Sequence, residues 1–293
     1  MSYHIWPPHR RRIKLKVALP TNVLSEAPNL REKTIKVGII SRALTIFRVD
    51  EVLFYKAAPD EETLLRDLFN YHFTPPYLKK YIPIKRNLRY AGLLPPLKAP
   101  AHTTPINLEE ALKYRYREGV VLKRKSNYAI LDVGMSLLAK AFIKNLIRIR
   151  KGDFVLIKLL EIQERYLIGE LIHPEEIPFY WRPYLGRTYN SLKELIENEE
   201  GTIIGTSKYG KIIYKVLDDL CRDLFKLHET TVIFGSPYRG LYDIAMSEGF
   251  DLNTHLKYVV NFIPFQGAQT VRTEEAIFAV LSILNMLVDQ RSF

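Results

Sequence analysis

The chain has 293 residues, of which 47 % are hydrophobic, so it can bury a sizeable core and a largely disordered chain is excluded. A single cysteine, Cys221, excludes an intramolecular disulfide and fits a reducing cytoplasm. The longest apolar run, at 276–288, is broken by Ser282 and Asn285 and falls short of the roughly 20 residues of a membrane span. The first residues contain no apolar run of signal-peptide length, so we expect a cytoplasmic protein without a membrane partner.

The formal net charge of +11 is unevenly distributed along the chain. Residues 113–125 carry six basic residues against one acid, whereas residues 228–293 carry four against seven. Such clustering favours a polyanion, nucleic acid above all, bound to one part of the molecule. A solvated basic surface is the alternative.

The first part of the chain alternates between strand and helix patterns. Residues 14–20 and 49–56 are rich in β-branched and aromatic residues and predict strands, with apolar residues at helical spacing between them. Residues 60–73 predict a second helix, which ends before a Pro-Pro pair. Strand, helix and strand in this order predict the start of a parallel α/β layer.

A proline-rich segment near residue 94 marks a change of pattern. Four short strands punctuated by glycine follow it, at 118–124, 127–134, 152–162 and 165–172. Several short strands at close spacing are typical of a small β-barrel. We therefore predict a discontinuous α/β domain at 1–94 and 168–293, with a barrel at 95–167 inserted into it.

The α/β pattern resumes after the barrel, with helices predicted at 191–199, 212–227 and 276–288. Three predicted strands each run into a glycine-containing loop, here named the first loop (204–210), the second loop (234–241) and the third loop (264–275). Ligands of open α/β sheets bind outside the carboxyl ends of strands, and glycine lets the backbone approach them. A single glycine at such a position is more often a turn or helix-start device than a ligand contact, but three repetitions favour a ligand site. None of the loops matches a dinucleotide or Walker phosphate motif.

Four segments carry a family resemblance: LREKTIKVGIISRALTIFRVDEV, IGTSKYG, FGSPYRGL and PFQGAQTVRTEEAI. They resemble the archaeal and eukaryotic branch of the SPOUT RNA methyltransferase superfamily, over nearly the whole chain. The resemblance implies an α/β fold with a SPOUT-type parallel sheet, a deep C-terminal trefoil knot and an inserted small OB-like β-barrel. It also implies a homodimer through the knot region, and a last helix that is apolar on more than one side fits such an interface. Burial of that helix inside a monomer is the alternative.

The resemblance further implies that S-adenosylmethionine binds among the three loops. The residues expected to hold it are Thr206, Ser207, Gly210, Phe234, Gly235, Ser236, Gly240, Ile263, Pro264, Gly267, Ala268, Thr270 and Thr273. A bulky residue in place of Gly235 or Gly267 is expected to abolish cofactor binding.

The chemistry expected of such a site is direct methyl transfer. Histidines do not cluster at metal-ligand spacing, so no metal is expected, and there is no cysteine motif for covalent attack on a pyrimidine. This favours transfer to nitrogen or oxygen, with a base nitrogen preferred. Arg187 and Arg272 are the candidates beside the acceptor, because a guanidinium can bind phosphate or orient a base. Arg239 is a weaker candidate, and a surface charge or a salt bridge is the alternative for each arginine.

The barrel is the part expected to bind RNA, because cations hold phosphates and aromatic rings stack on bases. The residues expected to do so are Lys113, Arg115, Arg117, Lys123, Arg124, Lys125, Tyr128 and Lys144. A two-faced strand with its aromatic residues in the barrel core is the alternative for the tyrosines.

The function predicted from these features is S-adenosylmethionine-dependent methylation of structured RNA, such as ribosomal RNA. A non-catalytic RNA-binding or ribosome-assembly protein on the same scaffold is the alternative. A DNA-binding regulator is a third hypothesis.

Overall fold

The computed structural model describes residues 6–105, 107–143 and 148–289. The strands in this part of the chain are β1 Lys14–Pro20, β2 Glu51–Tyr55, β3 Tyr116–Arg124, β4 Tyr128–Asp132, β5 Leu138–Phe142, β6 Phe154–Ile162, β7 Tyr166–Ile172, β8 Tyr184–Tyr189, β9 Thr202–Ile212, β10 Glu229–Ile233 and β11 Tyr258–Asn261. The helices are α1 Leu30–Ile46, α2 Glu62–Phe73, α3 Leu108–Tyr114, α4 Leu192–Asn198, α5 Ile213–Lys226, α6 Leu241–Ser247, α7 Leu252–His255 and α8 Thr273–Asp289. No helix of the described residues is both long and apolar enough to cross a membrane.

The described residues fall into two compact units. The barrel unit takes its residues from 1–10, 74–85 and 98–181, and the sheet unit takes its residues from 11–73, 86–97 and 182–293. The boundary expected at 167 falls inside β7, and the barrel uses the whole of that strand.

The sheet unit contains a six-stranded parallel sheet in the order β11-β9-β10-β1-β2-β8. Successive side chains of a strand point to opposite faces, so β1 contributes to two cores. Val17 and Leu19 pack with α1, α2, α5 and α8, whereas Ala18 packs with α4, α6 and α7. The sheet therefore lies between two layers of helices, and the predicted parallel α/β architecture is confirmed.

Helix starts in the sheet unit follow local capping chemistry. The side chain of Asn29 accepts a hydrogen bond from the backbone N–H of Glu32 at the start of α1, and Ser191 does the same for Glu194 at the start of α4. The last helix begins at Thr273, with two glutamates in its first turn, where the helix dipole favours negative charge. It packs against α1 and α5.

The barrel unit contains a closed five-stranded barrel in the order β3-β4-β5-β7-β6, which confirms the predicted β-barrel. Its pairs are antiparallel except β5 with β7. The sequence reading missed β5, since its residues Leu-Ala-Lys-Ala-Phe include two alanines and a lysine, which are not typical strand formers. It also missed β8 at the sheet edge.

The stretch 113–117 is not a single alternating strand. Helix α3 ends at Tyr114, Arg115 adopts a left-handed backbone with φ of 59°, and β3 begins at Tyr116. The alternating tyrosines and cations of this stretch therefore belong to two elements, and strand periodicity does not assign their faces.

Candidate active site

A cleft of about 300 Å³ lies in the sheet unit beside the carboxyl ends of β9, β10 and β11. These strands are neighbours in the order β11-β9-β10, so residues 206–209 of β9 meet the segments that follow β10 and β11. The position is the one at which open α/β sheets bind ligands, and the volume falls at the small end of the range for small-molecule sites.

The first loop is part of a strand, since β9 continues through it to Ile212. Pairing with β11 jumps from Gly205 to Lys211, so residues 206–210 bulge out of the ladder, and 206–209 line the cleft. A Cβ at Gly210 would lie 2.5 Å from the carbonyl oxygen of Val259, so glycine is needed there for packing against β11. Thr206 ties the bulge to β10 by donating to the carbonyl oxygen of Ile233 at 2.9 Å.

The second loop is a tight turn between β10 and α6. The backbone N–H of Ser236 donates to the carbonyl of Arg239 at 2.9 Å, and the N–H of Arg239 donates back to the Ser236 hydroxyl at 3.1 Å. Asp243 holds the start of α6, because its Oδ2 accepts from the N–H of Gly240 at 3.0 Å. The loop therefore enters the helix in one defined conformation.

A buried tyrosine anchors the end of β10. Tyr55 donates its hydroxyl to the carbonyl oxygen of Phe234 at 2.7 Å. Burial, with a contribution from Glu248, raises the pKa of Tyr55 well above its usual value, so the phenol keeps its proton for this bond. Next to it, a Cβ at Gly235 would lie 3.2 Å from the carbonyl oxygen of Arg239, so the backbone passes close to the turn there.

Side chains tie the first loop both to the end of β11 and to the third loop. Asn261 donates to the carbonyl oxygen of Lys208 at 2.9 Å and accepts from the N–H of Ile263 at 3.0 Å. The ammonium of Lys208 lies 3.4 Å from the carbonyl oxygen of Gln269. Gln266 closes the loop on itself through the carbonyl of Ala268 at 2.8 Å.

The residues expected to hold the cofactor are partly brought together by the fold. Those that line the cleft are Thr206, Ser207, Phe234, Gly235, Ser236, Gly240, Ile263, Thr270 and Thr273. Pro264, Gly267, Ala268 and Gly210 do not appear in its lining. A Cβ at Gly267 would meet nothing within 4 Å, so this glycine lies in open space.

Neither of the two arginines expected beside the acceptor lines the cleft. Arg187 is on β8, and β1 and β2 separate that strand from β10. Its guanidinium lies 3.8 Å from Glu199 and 4.3 Å from the ring centroid of Tyr189. Arg272 lines a different cavity, next to Lys36 and Glu274. Arg239, the weaker candidate, does line the cleft.

Several cleft residues were absent from the sequence-based set, among them Lys208, Tyr209, Asn261 and Asp243. The signal that could have found them is adjacency to the three strand ends, which does not depend on glycine. Among the described residues that line the cleft, Asp243 is the only acid, against two cations.

On the barrel unit, four residues of the expected RNA-binding set lie close together in the chain at the β3–β4 hairpin, and Lys140 of β5 adds a further cation beside them. Lys123, Arg124 and Lys125 are exposed at the β3–β4 hairpin, and the N–H of Lys125 donates to the carbonyl of Tyr128 at 2.9 Å. The ammonium of Lys140 lies 4.7 Å from the ring centroid of Tyr128. We call these five residues the hairpin patch.

The other expected RNA contacts are distributed differently. Lys113 and Arg115 are exposed at the end of α3. Arg117 is only 3 % exposed, donates to the carbonyl of Val133 at 2.8 Å and lies 4.2 Å from the ring centroid of Tyr77. Burial lowers the pKa of Arg117, and its position makes it a packing residue of the barrel unit instead of a surface contact. Lys144 lies outside the described residues.

No group of three or more histidine, cysteine or acidic side chains among the described residues is arranged to hold a metal ion.

A parallel α/β sheet with a cleft at three adjacent strand ends defines the general class of ligand-binding α/β proteins. Within that class, a family described as "Putative RNA methyltransferase" matches residues 14–284, and the chain belongs to this family. The resemblance seen in the sequence is thereby confirmed at the level of the family.

Relatives span archaea and animals. The 28S rRNA (uridine-N(3))-methyltransferase of Drosophila melanogaster is 28 % identical over 92 % of this chain, which spans 61 % of that protein. The human protein of the same name is 28 % identical over 94 % of this chain and 78 % of its own length. An uncharacterized protein of Halobacterium salinarum is 28 % identical over 92 % of this chain and 98 % of its own length.

Proposed function

We propose that this chain is an S-adenosylmethionine-dependent RNA methyltransferase. The observation that carries the proposal is the cleft between the bulge of β9 and the segments that follow β10 and β11, in a member of an RNA methyltransferase family. Two relatives are named as methyltransferases of uridine N3 in 28S rRNA, so we propose a base nitrogen of ribosomal RNA, uridine N3 first, as the acceptor.

The lining of the cleft fits the proposed donor. Phe234, Val260 and Ile263 supply apolar wall for an adenine ring, and Ser207 and Ser236 supply hydroxyl groups for its polar parts. At Gly235 even a Cβ would lie 3.2 Å from the carbonyl oxygen of Arg239, so a longer side chain would displace the turn that lines the cleft. When bound, the donor would supply an electrophilic methyl group on sulfur. The chain's own task is to hold donor and acceptor in line, which is the larger part of such catalysis.

The hairpin patch supports a role for the barrel in RNA binding. It combines three exposed cations with the half-buried Lys140 and Tyr128. Cations would neutralise phosphates while the ring of Tyr128 stacks on a base. We retain the barrel as an inserted OB-like RNA-binding domain, with Lys113 and Arg115 as further contacts.

The trefoil knot, the homodimer and a cytoplasmic location belong to the same proposal. Exposed apolar side chains on two packed helices support self-association: Ile35, Ile39 and Ile46 on α1, and Met286 on α8. A solvent-facing apolar stripe of this kind is typical of an interface.

The experiment that tests the proposal has two parts. The purified chain is first titrated with S-adenosylmethionine in a calorimeter, where we expect saturable binding. It is then incubated with methyl-labelled S-adenosylmethionine and ribosomal RNA, and the nucleosides are analysed for N3-methyluridine. RNA binding without donor binding, both in the free chain and in the chain with RNA bound, would select the non-catalytic scaffold instead.

A further inference from the structure

Three aromatic side chains around the cleft are exposed to solvent. Tyr209 is 74 % exposed, Tyr238 is 72 % exposed and Phe265 is 88 % exposed. Tyr209 and Tyr238 line the cleft, and Phe265 lies in the chain between two other lining residues, Ile263 and Gln266. The three residues, here called the aromatic rim, come one from each of the three loops.

The rim makes no evident contribution to the core of the sheet unit. Aromatic rings are among the side chains that gain most from burial, so their exposure at one place calls for a reason other than packing. Phe265 adds a second feature, because its φ of 57° is in the left-handed region that a bulky residue rarely adopts. The third loop thus holds a disfavoured backbone while it presents a ring to solvent.

The charged side chains beside the aromatic rim indicate which kind of ligand the rim would bind. The ammonium of Lys208 lies 5.2 Å from the ring centroid of Tyr209, and Arg239 follows Tyr238 in the turn that lines the cleft. Against these cations stands one carboxylate, Asp243, whose Oδ2 already accepts from Gly240. Exposed rings flanked by cations are suited to unstacked nucleobases and their phosphates, more than to an apolar peptide.

We propose that the aromatic rim of Tyr209, Tyr238 and Phe265 stacks on an unstacked nucleobase of single-stranded RNA and holds it over the donor cleft. The inference rests on the proposed function, and it adds that the RNA binds with its target base unstacked. A base nitrogen on the pairing edge is inaccessible inside a stacked duplex, so a base that is to react must be displaced from it. Aromatic stacking is the usual means of holding bases of single-stranded RNA.

The probe for this proposal is a fluorescent oligouridylate of about twelve nucleotides, with a duplex RNA of equal length for comparison. The full chain is titrated with each RNA in the presence and absence of S-adenosylmethionine. We expect tighter binding of the single strand. We expect Tyr238→Ala and Phe265→Ala each to weaken it about fivefold or more, in line with the loss of one stacking contact.

Three controls separate stacking from folding. Tyr238→Phe keeps the ring and should stay within about twofold of wild type, because stacking does not need the hydroxyl. Tyr214→Ala removes another exposed ring, on α5 and outside the cleft lining, and should have no effect. A 4-thiouridine oligonucleotide should crosslink on irradiation to peptides that contain Tyr209, Tyr238 or Phe265.

The outcomes are distinct. Unchanged oligouridylate affinity in both alanine variants, with donor binding intact, would overturn the rim proposal and leave the proposed function standing. Loss of self-association in light scattering, without a change in RNA affinity, would mean that a second copy of this chain covers the rim, and would overturn it as well. Absence of donor binding in the wild-type chain would count against the proposed function, while the oligouridylate titration would still decide the rim.

Discussion

The side chain of Asn261 donates to the carbonyl oxygen of Lys208 at 2.9 Å and so joins the end of β11 to the bulge of β9. The same side chain accepts from the N–H of Ile263 at 3.0 Å. One amide thus sets the relative position of two of the three segments that surround the cleft, although it lies in none of the glycine motifs.

Replacing Asn261 by alanine should loosen the cleft. Each of its two hydrogen bonds is worth about 1 kcal/mol, so we expect S-adenosylmethionine affinity to fall about tenfold, measured as Kd by calorimetry. Asn198→Ala is the control, since it removes a comparable exposed amide bond to Glu194 at the end of α4. Equal Kd values for both variants would contradict a bridging role for Asn261.

The two glycines of the second and third loops should not be equivalent. Gly235→Leu places a side chain at the cleft lining, where even Cβ lies 3.2 Å from the carbonyl of Arg239, so we expect at least a tenfold loss of S-adenosylmethionine affinity. Gly267→Leu introduces the same side chain into open space and should stay within about twofold of wild type. A larger effect at Gly267 would restore the sequence-based expectation that both glycines hold the cofactor.

If the hairpin patch binds RNA, its lysines should contribute to the salt dependence of oligouridylate affinity. If Lys123 contacts one phosphate, Lys123→Gln should reduce the slope of log K against log salt for oligouridylate by about 0.7. Lys193→Gln on α4 removes a half-buried lysine of the sheet unit that pairs with Glu197, and should leave the slope unchanged. Equal slopes for the wild-type chain and both variants would remove Lys123 from the RNA surface.

One glycine of the barrel unit, Gly134, should not tolerate a side chain. Gly134 has φ of +67°, and a Cβ there would lie 2.3 Å from the ring of Tyr77, so we expect Gly134→Ala to lower the free energy of unfolding by about 2 kcal/mol or more. Gly152→Ala has a similar positive φ of +93° but meets nothing within 4 Å. Urea unfolding gives the loss of free energy of unfolding for each variant, and the excess loss in Gly134→Ala measures the clash with Tyr77 apart from the backbone strain. Equal losses in the two variants would refute the clash.

An ion pair in the sheet unit should make the free energy of unfolding depend on pH. Lys16 lies 2.5 Å from Glu229 and 3.0 Å from Glu199, and the hydrogen bond from Lys16 holds the pKa of Glu229 below its usual value. A carboxyl with a lowered folded-state pKa stabilises the fold above its unfolded pKa, and this contribution is lost as pH falls through the folded value.

We therefore expect wild type to exceed Glu229→Gln by about 1 kcal/mol in free energy of unfolding at pH 7, because the pair is partly exposed. The difference should shrink as pH falls below the usual glutamate pKa of about 4.5. Urea unfolding curves of both proteins between pH 7 and pH 3 measure it. A difference that stays constant with pH would exclude Glu229 as the titrating group.

Local pattern determined much of this protein. Residues 14–20 were predicted as a strand and form β1, and the predicted parallel layer and β-barrel are both present. These features depend on side-chain periodicity and on glycine and proline, which act within a few residues. The loops that follow β10 and β11 were identified in the same way, whereas the first loop is a bulge inside β9.

Tertiary structure alone decided which residues meet. Arg187 and Arg272 have the same chemistry as Arg239, yet strand order and helix packing leave only Arg239 in the cleft lining among these three. Arg117 has a sequence context like that of its exposed neighbours, but the barrel unit buries it against Tyr77. Strand order and burial arise from contacts between residues far apart in the chain, and no local pattern encodes them.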